Sequence, residues 1–403
     1  MLTQPTHSAQ PDLHGQSVEN RFRVLNMKIL RLFFGLSVAA LAIGGLYGAE
    51  GQASQAGQQA AAAPQLVLLD TDIGDDIDDA FALGLVLQSP ELKLVGITTA
   101  YGDTDLRARL VERYLGSLCR FNVNVIPGVH TPHENVFTQA AYAGGFASQG
   151  CGGASFQISS KADEDRLKKR RKQEAARLQA EQAERMAGLG HLLKQKREHD
   201  AAGFLLDQIR EHPGQITLIA IGPLNNIEAA IKQDPVTFRS LKRVVMMGGS
   251  IYRGYDDAKG QKPPDAEWNI SRDPAGLRAL LASGVPVFMM PLDSTQIHLE
   301  TKDREAIFAH GSPLTDQLTL LYHQWKAGTE GHWEAPTLFD PVAVTYAVRP
   351  DLCPATPMRL EVDDKGFTRP VEGAPNAQVC LKSDEKGFLD LLVGRLTSPA
   401  GQR

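Results

Sequence analysis

The chain has 403 residues, 42% apolar and 22% charged, enough to bury one large core or two ordinary ones. Its net charge of −5, from 42 basic and 47 acidic residues, leaves no basic excess and argues against a nucleic-acid partner. Four cysteines, Cys119, Cys151, Cys353 and Cys380, show no Cys-x-x-Cys metal spacing; they form up to two disulfides in an oxidising compartment, or stay as buried thiols.

Residues 1–63 do not read as fold. Met27-Lys28-Ile29-Leu30-Arg31 leads into the apolar run Leu32 to Tyr47, followed by small residues and a Gln/Ala/Gly-rich linker. A basic start, an apolar stretch and small residues behind it spell an export signal. A single membrane anchor is the alternative, diluted by Gly35, Gly44, Gly45 and Gly48. The expected location is therefore periplasmic or secreted, with a mature chain beginning between Ala49 and Ala63.

Residues 64–403 form the expected catalytic domain. An apolar strand, Leu66 to Leu69, runs into a loop with six aspartates between positions 70 and 79, bent at Gly74. Helical spacing resumes at Ala80, Phe81, Leu83 and Leu87. Six carboxylates this close repel one another unless protons or a cation neutralise them, and hard oxygen donors around a glycine turn suit Ca²⁺. One or two aspartates would serve a helix amino terminus; six exceed that need.

Further strands are expected at Leu92 to Thr99, Val123 to Ile126, Ile216 to Ile221, Arg243 to Met247 and Val285 to Met290, with helices at Leu106 to Leu118 and Val342 to Ala347. This alternation predicts an α/β fold with a mostly parallel central sheet flanked by helices. The order breaks at 161–200, where mixed charge and few apolar residues predict a solvent-exposed helical insertion. The tail from Met358 alternates like strands and ends in a helix near Gly387 to Leu396.

The stretch DTDIGDDIDDAFAL (Asp70 to Leu83) resembles the amino-terminal signature of the nucleoside hydrolases, Rossmann-like enzymes that cleave the N-glycosidic bond with bound Ca²⁺. Three more stations resemble the family in order: Ile221-Gly222-Pro223-Leu224-Asn225-Asn226, then Met247-Gly248-Gly249 with Glu267-Trp268-Asn269, then Asp340-Pro341. The resemblance implies hydrolysis of a nucleoside or related N-riboside, in base salvage, by water that an aspartate activates beside Ca²⁺. It implies Asp72, Asp79, the Ile221 carbonyl and Asp340 as metal ligands, with Asp72 also the base. Asp78, Asp103, Met247, Glu267 and Asn269 are the implied substrate contacts; Glu267 and Asn269, two apart, would share a face of an extended segment. Trp268 is expected to pack, and Asp273-Pro274 to cap the next helix. The expected partner is a small nucleoside, with a membrane met only through an amino-terminal anchor; a homo-oligomer is compatible with the sequence.

The chain departs from the family at three points. The acidic loop is two residues longer, leaving Asp76 as a further metal ligand or as the ribose contact in place of Asp78. Asp103 stands where many relatives carry Asn. Phe339 stands where many carry the histidine that protonates the departing base, and His323 and His332 are the nearest replacements in sequence. Two other functions remain open: an exported Ca²⁺-stabilised nucleoside- or ribose-binding protein without turnover, and a haloacid-dehalogenase-like phosphatase with Asp70 as nucleophile and Mg²⁺ as metal.

Overall fold

The structure, a computed structural model, describes residues 63–132, 137–144, 201–256, 260, 262–329 and 335–398. The export segment, the 161–200 insertion, Cys151 and His332 lie outside those residues.

A nine-stranded sheet organises residues 63–398, in the order β3-β2-β1-β4-β5-β6-β9-β7-β8. Its strands are β1 (Gln65–Thr71), β2 (Leu92–Thr99), β3 (Asn124–Pro127), β4 (Thr217–Ala220), β5 (Arg243–Met247), β6 (Val287–Met290), β7 (Ala355–Val362), β8 (Thr368–Val371) and β9 (Ala377–Cys380). The first six run parallel in the expected places, β9 adds a parallel strand beside β6, and β7 and β8 close the edge antiparallel. The β-like tail is thus the sheet's far edge.

Helices cover both faces, so the central strands are apolar on both sides, as a parallel sheet requires. Along β1 the side chains alternate: Val67 and Leu69 enter one core and Leu68 the other. Helix α1 (Asp78–Gln88) is buried from Asp78 to Leu87 and packs against the Phe339–Val348 helix. The motif helix is therefore interior, without the polar face of a surface helix.

The chain passes from β1 out to β2 and β3, then returns to β4 on β1's other side. That reversal opens a crevice at the carboxyl ends of β1 and β4, the place where open α/β sheets bind ligands. The acidic loop leaves β1 at that crevice, and Ile221 follows β4 there.

Cys353 and Cys380 form a disulfide that ties the end of β9 to the turn before β7. Cys119 is also disulfide-bonded. The thiol alternative is not realised at these three positions.

Candidate active site

A cavity of about 880 Å³ opens at the crevice, lined by Asp72, Asp78, Asp79, Ile221, Met247, Glu267, Asn269 and Asp340. The sequence distributes these residues over more than two thirds of the fold; the sheet's carboxyl edge brings them together. Asp103 is not among them. The backbone turns through Tyr101 and Gly102 in left-handed conformations (φ 62° and 68°), which sets Asp103 ahead of helix α2 (Thr104–Ser117). There it is exposed and its carboxylate accepts the Leu106 N–H at 2.9 Å, a helix cap outside the cavity lining.

The carboxylates of Asp78, Asp79 and Asp340 converge, one oxygen from each lying within 4.8 Å of the other two, and all three residues are buried. Asp79 accepts the Thr71 hydroxyl at 2.5 Å, and Asp78 accepts the Asp340 N–H at 3.1 Å. None of the three caps its helix through its side chain. The expected division, Asp79 for metal and Asp78 for ribose, is not visible in this geometry: Asp78 belongs to the tight group. Asp72 lines the cavity beside it. Gly222 leaves room for Asp72, since a Cβ there would stand 2.8 Å from its carboxylate oxygen.

Burial pushes the pKa values of Asp78, Asp79 and Asp340 well above the ordinary carboxylate range, and carboxylate neighbours push further. Asp72 is raised to about 7, chiefly by desolvation, against the pull of the Arg107 guanidinium. Among the described residues Arg107 is the buried cation at this loop. It donates to the carbonyls of Tyr101, Asp72 and Ile73 and pairs with Asp75 at 3.0 Å. The Arg107 charge reaches Asp79, but among the described residues no cation forms an ion pair with Asp78, Asp79 or Asp340, and these buried carboxylates are a hard oxygen cluster of the kind that suits calcium.

The two extra loop residues are braced. Arg107 holds Asp75, the Thr138 hydroxyl donates to the Asp75 carbonyl at 2.7 Å, and the Gln139 amide donates to the Asp76 carbonyl at 2.6 Å. Gly74 takes φ 130°, and a Cβ there would overlap the Phe137 ring. Asp76 lines the cavity, where it is exposed, and accepts its neighbour Ile77 N–H at 2.7 Å.

Glu267 and Asn269 reach the cavity by a different route from the expected extended segment. Glu267 caps a short helix, Trp268–Arg272, accepting the N–H groups of Gly249, Asn269 and Ile270 at 2.9, 2.9 and 3.1 Å. Desolvation raises its pKa to about 7. The Asn269 amide lies 3.4 Å from the Ile221 carbonyl, bridging two stations. Asp273 caps the next helix, as expected, accepting the Gly276 N–H at 2.9 Å. Trp268 both packs edge-on against Tyr101 and lines the cavity with Tyr255, Trp325 and Phe339. Sequence reasoning missed Tyr255, Trp325, Gln296 and His298, which carry no motif.

Asp70 is fully buried and lies outside the cavity lining. It accepts the Thr98 hydroxyl at 2.5 Å and the Asn226 amide at 2.7 Å. A nucleophile must reach its substrate, so the phosphatase reading fails here.

These pKa shifts set a stability prediction. From the unfolded carboxylate pKa near 4 up to about 7, where Asp72 and Glu267 titrate, the folded chain holds more protons than the unfolded one. Stability without a cation should therefore fall as pH rises through that window. Calcium should restore it, and restore more at about pH 8 than at about pH 5, read as melting temperature with calcium against chelator. An equal calcium increment at both values would contradict the cluster's role.

The family model described as inosine-uridine preferring nucleoside hydrolase matches residues 67–390. Among relatives, uridine nucleosidase 1 from Arabidopsis thaliana is 25% identical over 83% of this chain and 93% of its own length. The pyrimidine-specific ribonucleoside hydrolase RihA of Citrobacter koseri is 29% identical over 82% of this chain and 97% of its own. Among solved structures, a plant nucleoside hydrolase superposes with a TM-score of 0.63 at 23% identity, covering 83% of this chain and all of its own. A purine-preferring ribonucleoside hydrolase from Gardnerella vaginalis gives 0.59 at 22%, over 83% of this chain and 98% of its own. The buried Asp78–Asp79–Asp340 cluster matches the calcium-binding aspartate site typical of enzymes that hydrolyse the N-glycosidic bond. With its model matched over most of its length, the chain belongs to the inosine-uridine preferring nucleoside hydrolase family.

Proposed function

We propose that the protein hydrolyses a nucleoside, or a related N-riboside, to ribose and free base, with calcium as its cofactor. The observation that carries this reading is one cavity shared by the converging carboxylates and the Glu267–Asn269 segment. Asp78, Asp79 and Asp340 would hold the ion, with Asp72 and the Ile221 carbonyl beside them. When bound, calcium supplies charge that lowers the pKa of water and orients the sugar hydroxyls. Asp72 takes the proton from the attacking water. Asn269, Asp78 and Met247 face the ribose, and Glu267 fixes the Met247–Gly249 turn through the Gly249 N–H. As C1′ gains oxocarbenium character, these groups keep the sugar in place. Trp268, Tyr255, Trp325 and Phe339 give the base an aromatic surround.

Ribose released from inosine, uridine and other common nucleosides, with calcium and with chelator, tests the reading. Turnover in calcium, lost in chelator, is the expected result. Calcium-dependent nucleoside binding without ribose release would favour the second reading, a binding protein, which Phe339 ahead of Asp340 makes worth testing.

We also propose export before the domain folds, supported by the Met27–Tyr47 sequence and the Cys353–Cys380 disulfide. Amino-terminal sequencing should find a start between Ala49 and Ala63. An intact Met1 or Met27 on cytosolic protein would contradict it.

A further inference from the structure

Breaking a C1′–N bond leaves the electron pair on the base, and that pair needs a proton. Phe339, directly before Asp340, has none to give. Several other groups near the cavity are already engaged. The carboxylates of Asp78, Asp79 and Asp340 face one another in the acidic cluster. The Tyr255 hydroxyl bonds to Glu267 and accepts the Trp268 N–H at 2.9 Å, and burial holds its pKa well above the ordinary value. His323 packs edge-on against Tyr322 and, unlike the equally exposed His298, does not line the cavity.

Among the described lining residues one histidine remains, His298. It comes from the segment after β6, which pairs with the residues leading to Phe339. Leu338 N–H donates to the Ile297 carbonyl at 2.7 Å, Leu299 N–H donates to the Pro336 carbonyl at 2.9 Å, and His298 bridges Thr337 between them. The imidazole therefore stands one strand over from the segment that carries Phe339 and Asp340. Its Nδ1 lies 3.2 Å from the Thr337 hydroxyl oxygen, which leaves Nε2 as the nitrogen that Thr337 does not take. An imidazole is the side chain suited to hold and release a proton near neutrality.

We propose that His298 is the general acid that protonates the departing base, in place of a group at position 339. The assignment rests on the reading under Proposed function. As the C1′–N bond breaks, its electron pair stays on the base nitrogen and takes the Nε2 proton of the imidazolium. Water forms the new C1′–O bond and gives its proton to Asp72. Asp72 then releases that proton to solvent and His298 takes one up, so the sum is nucleoside plus water to ribose plus base.

The test compares His298→Ala and His298→Gln with the full-length enzyme in calcium, on inosine, uridine and a 4-nitrophenyl riboside, whose leaving group needs no proton. For both variants the nucleoside kcat/KM should fall about 10²–10⁴-fold while the nitrophenyl riboside changes by less than about threefold. The alkaline limb of the nucleoside pH profile should disappear, and added imidazole should restore part of the His298→Ala rate. An equal fall on all substrates would make His298 structural and overturn the proposal. So would an unchanged nucleoside rate, or the same substrate split produced by His323→Ala or His332→Ala instead. A wild-type enzyme that cleaves the activated riboside but no nucleoside would remove the acid while leaving the riboside hydrolase reading standing. Failure on every riboside would overturn that reading as well.

Discussion

Asp79→Ala and Asp340→Ala should each abolish nucleoside turnover and weaken calcium binding by at least about 100-fold, since a lost ligand costs no less than a lost outer partner. Their effect on stability should change sign with the metal. In chelator, removing one of several buried carboxylates relieves both desolvation and repulsion, the causes that raise the pKa values of this group. Each variant should then melt higher than the wild type at about pH 8, where the cluster is pressed to ionise. In calcium the order should reverse, because the wild type gains about 2.7 kcal/mol at a hundred times its Kd and the variants do not. Calorimetry of calcium binding and melts in both conditions read the two effects separately. A variant that keeps wild-type calcium affinity removes its residue from the ligand set. One that loses the same stability with and without calcium is a packing residue.

The fold was legible because a parallel sheet writes itself plainly: short apolar strands between helices, at regular spacing. The site was legible where chemistry is concentrated in a short stretch, as in Asp72 to Asp79, or anchored by an ordinary strand end, as at Ile221 and Met247. It was less legible where one side chain has two uses. Asp103 sits after a strand end and looks like a pocket residue, but the left-handed turn at Tyr101 and Gly102 makes it a helix cap. Glu267 is a pocket residue and a cap at once, so the expected extended segment is a turn of helix.

Contacts between distant segments left the faintest trace. His298 and Thr337 meet through a pairing a few residues long, and nothing near either residue announces the other. Arg107 did leave a signal. It shares the buried face of α2 with Leu110, Val111 and Tyr114, and a cation in an apolar register calls for a buried partner. That partner is the acidic loop, which the same guanidinium holds by the Asp72 and Ile73 carbonyls and by Asp75.

Asp72→Asn should separate the two ends of the scissile bond. Asparagine has the same shape, so the close approach to Gly222 and the Arg107 bond to the residue-72 carbonyl survive. What is lost is the capacity to take a proton from water. Turnover should fall about 10²–10⁴-fold, while affinity for ribose changes little, because the interaction removed acts in the transition state. Calcium affinity should fall less than in Asp79→Ala, since one amide oxygen remains. The acidic limb of the pH profile, where Asp72 takes up its proton, should vanish. Leaving-group acidity gives the sharper contrast. Water attacks C1′ whatever base departs, so Asp72→Asn should slow inosine, uridine and the nitrophenyl riboside alike. The His298 variants should spare the nitrophenyl riboside. If Asp72→Asn also spares it, attack on that substrate needs no base, and the proton of the water must leave by a route other than Asp72.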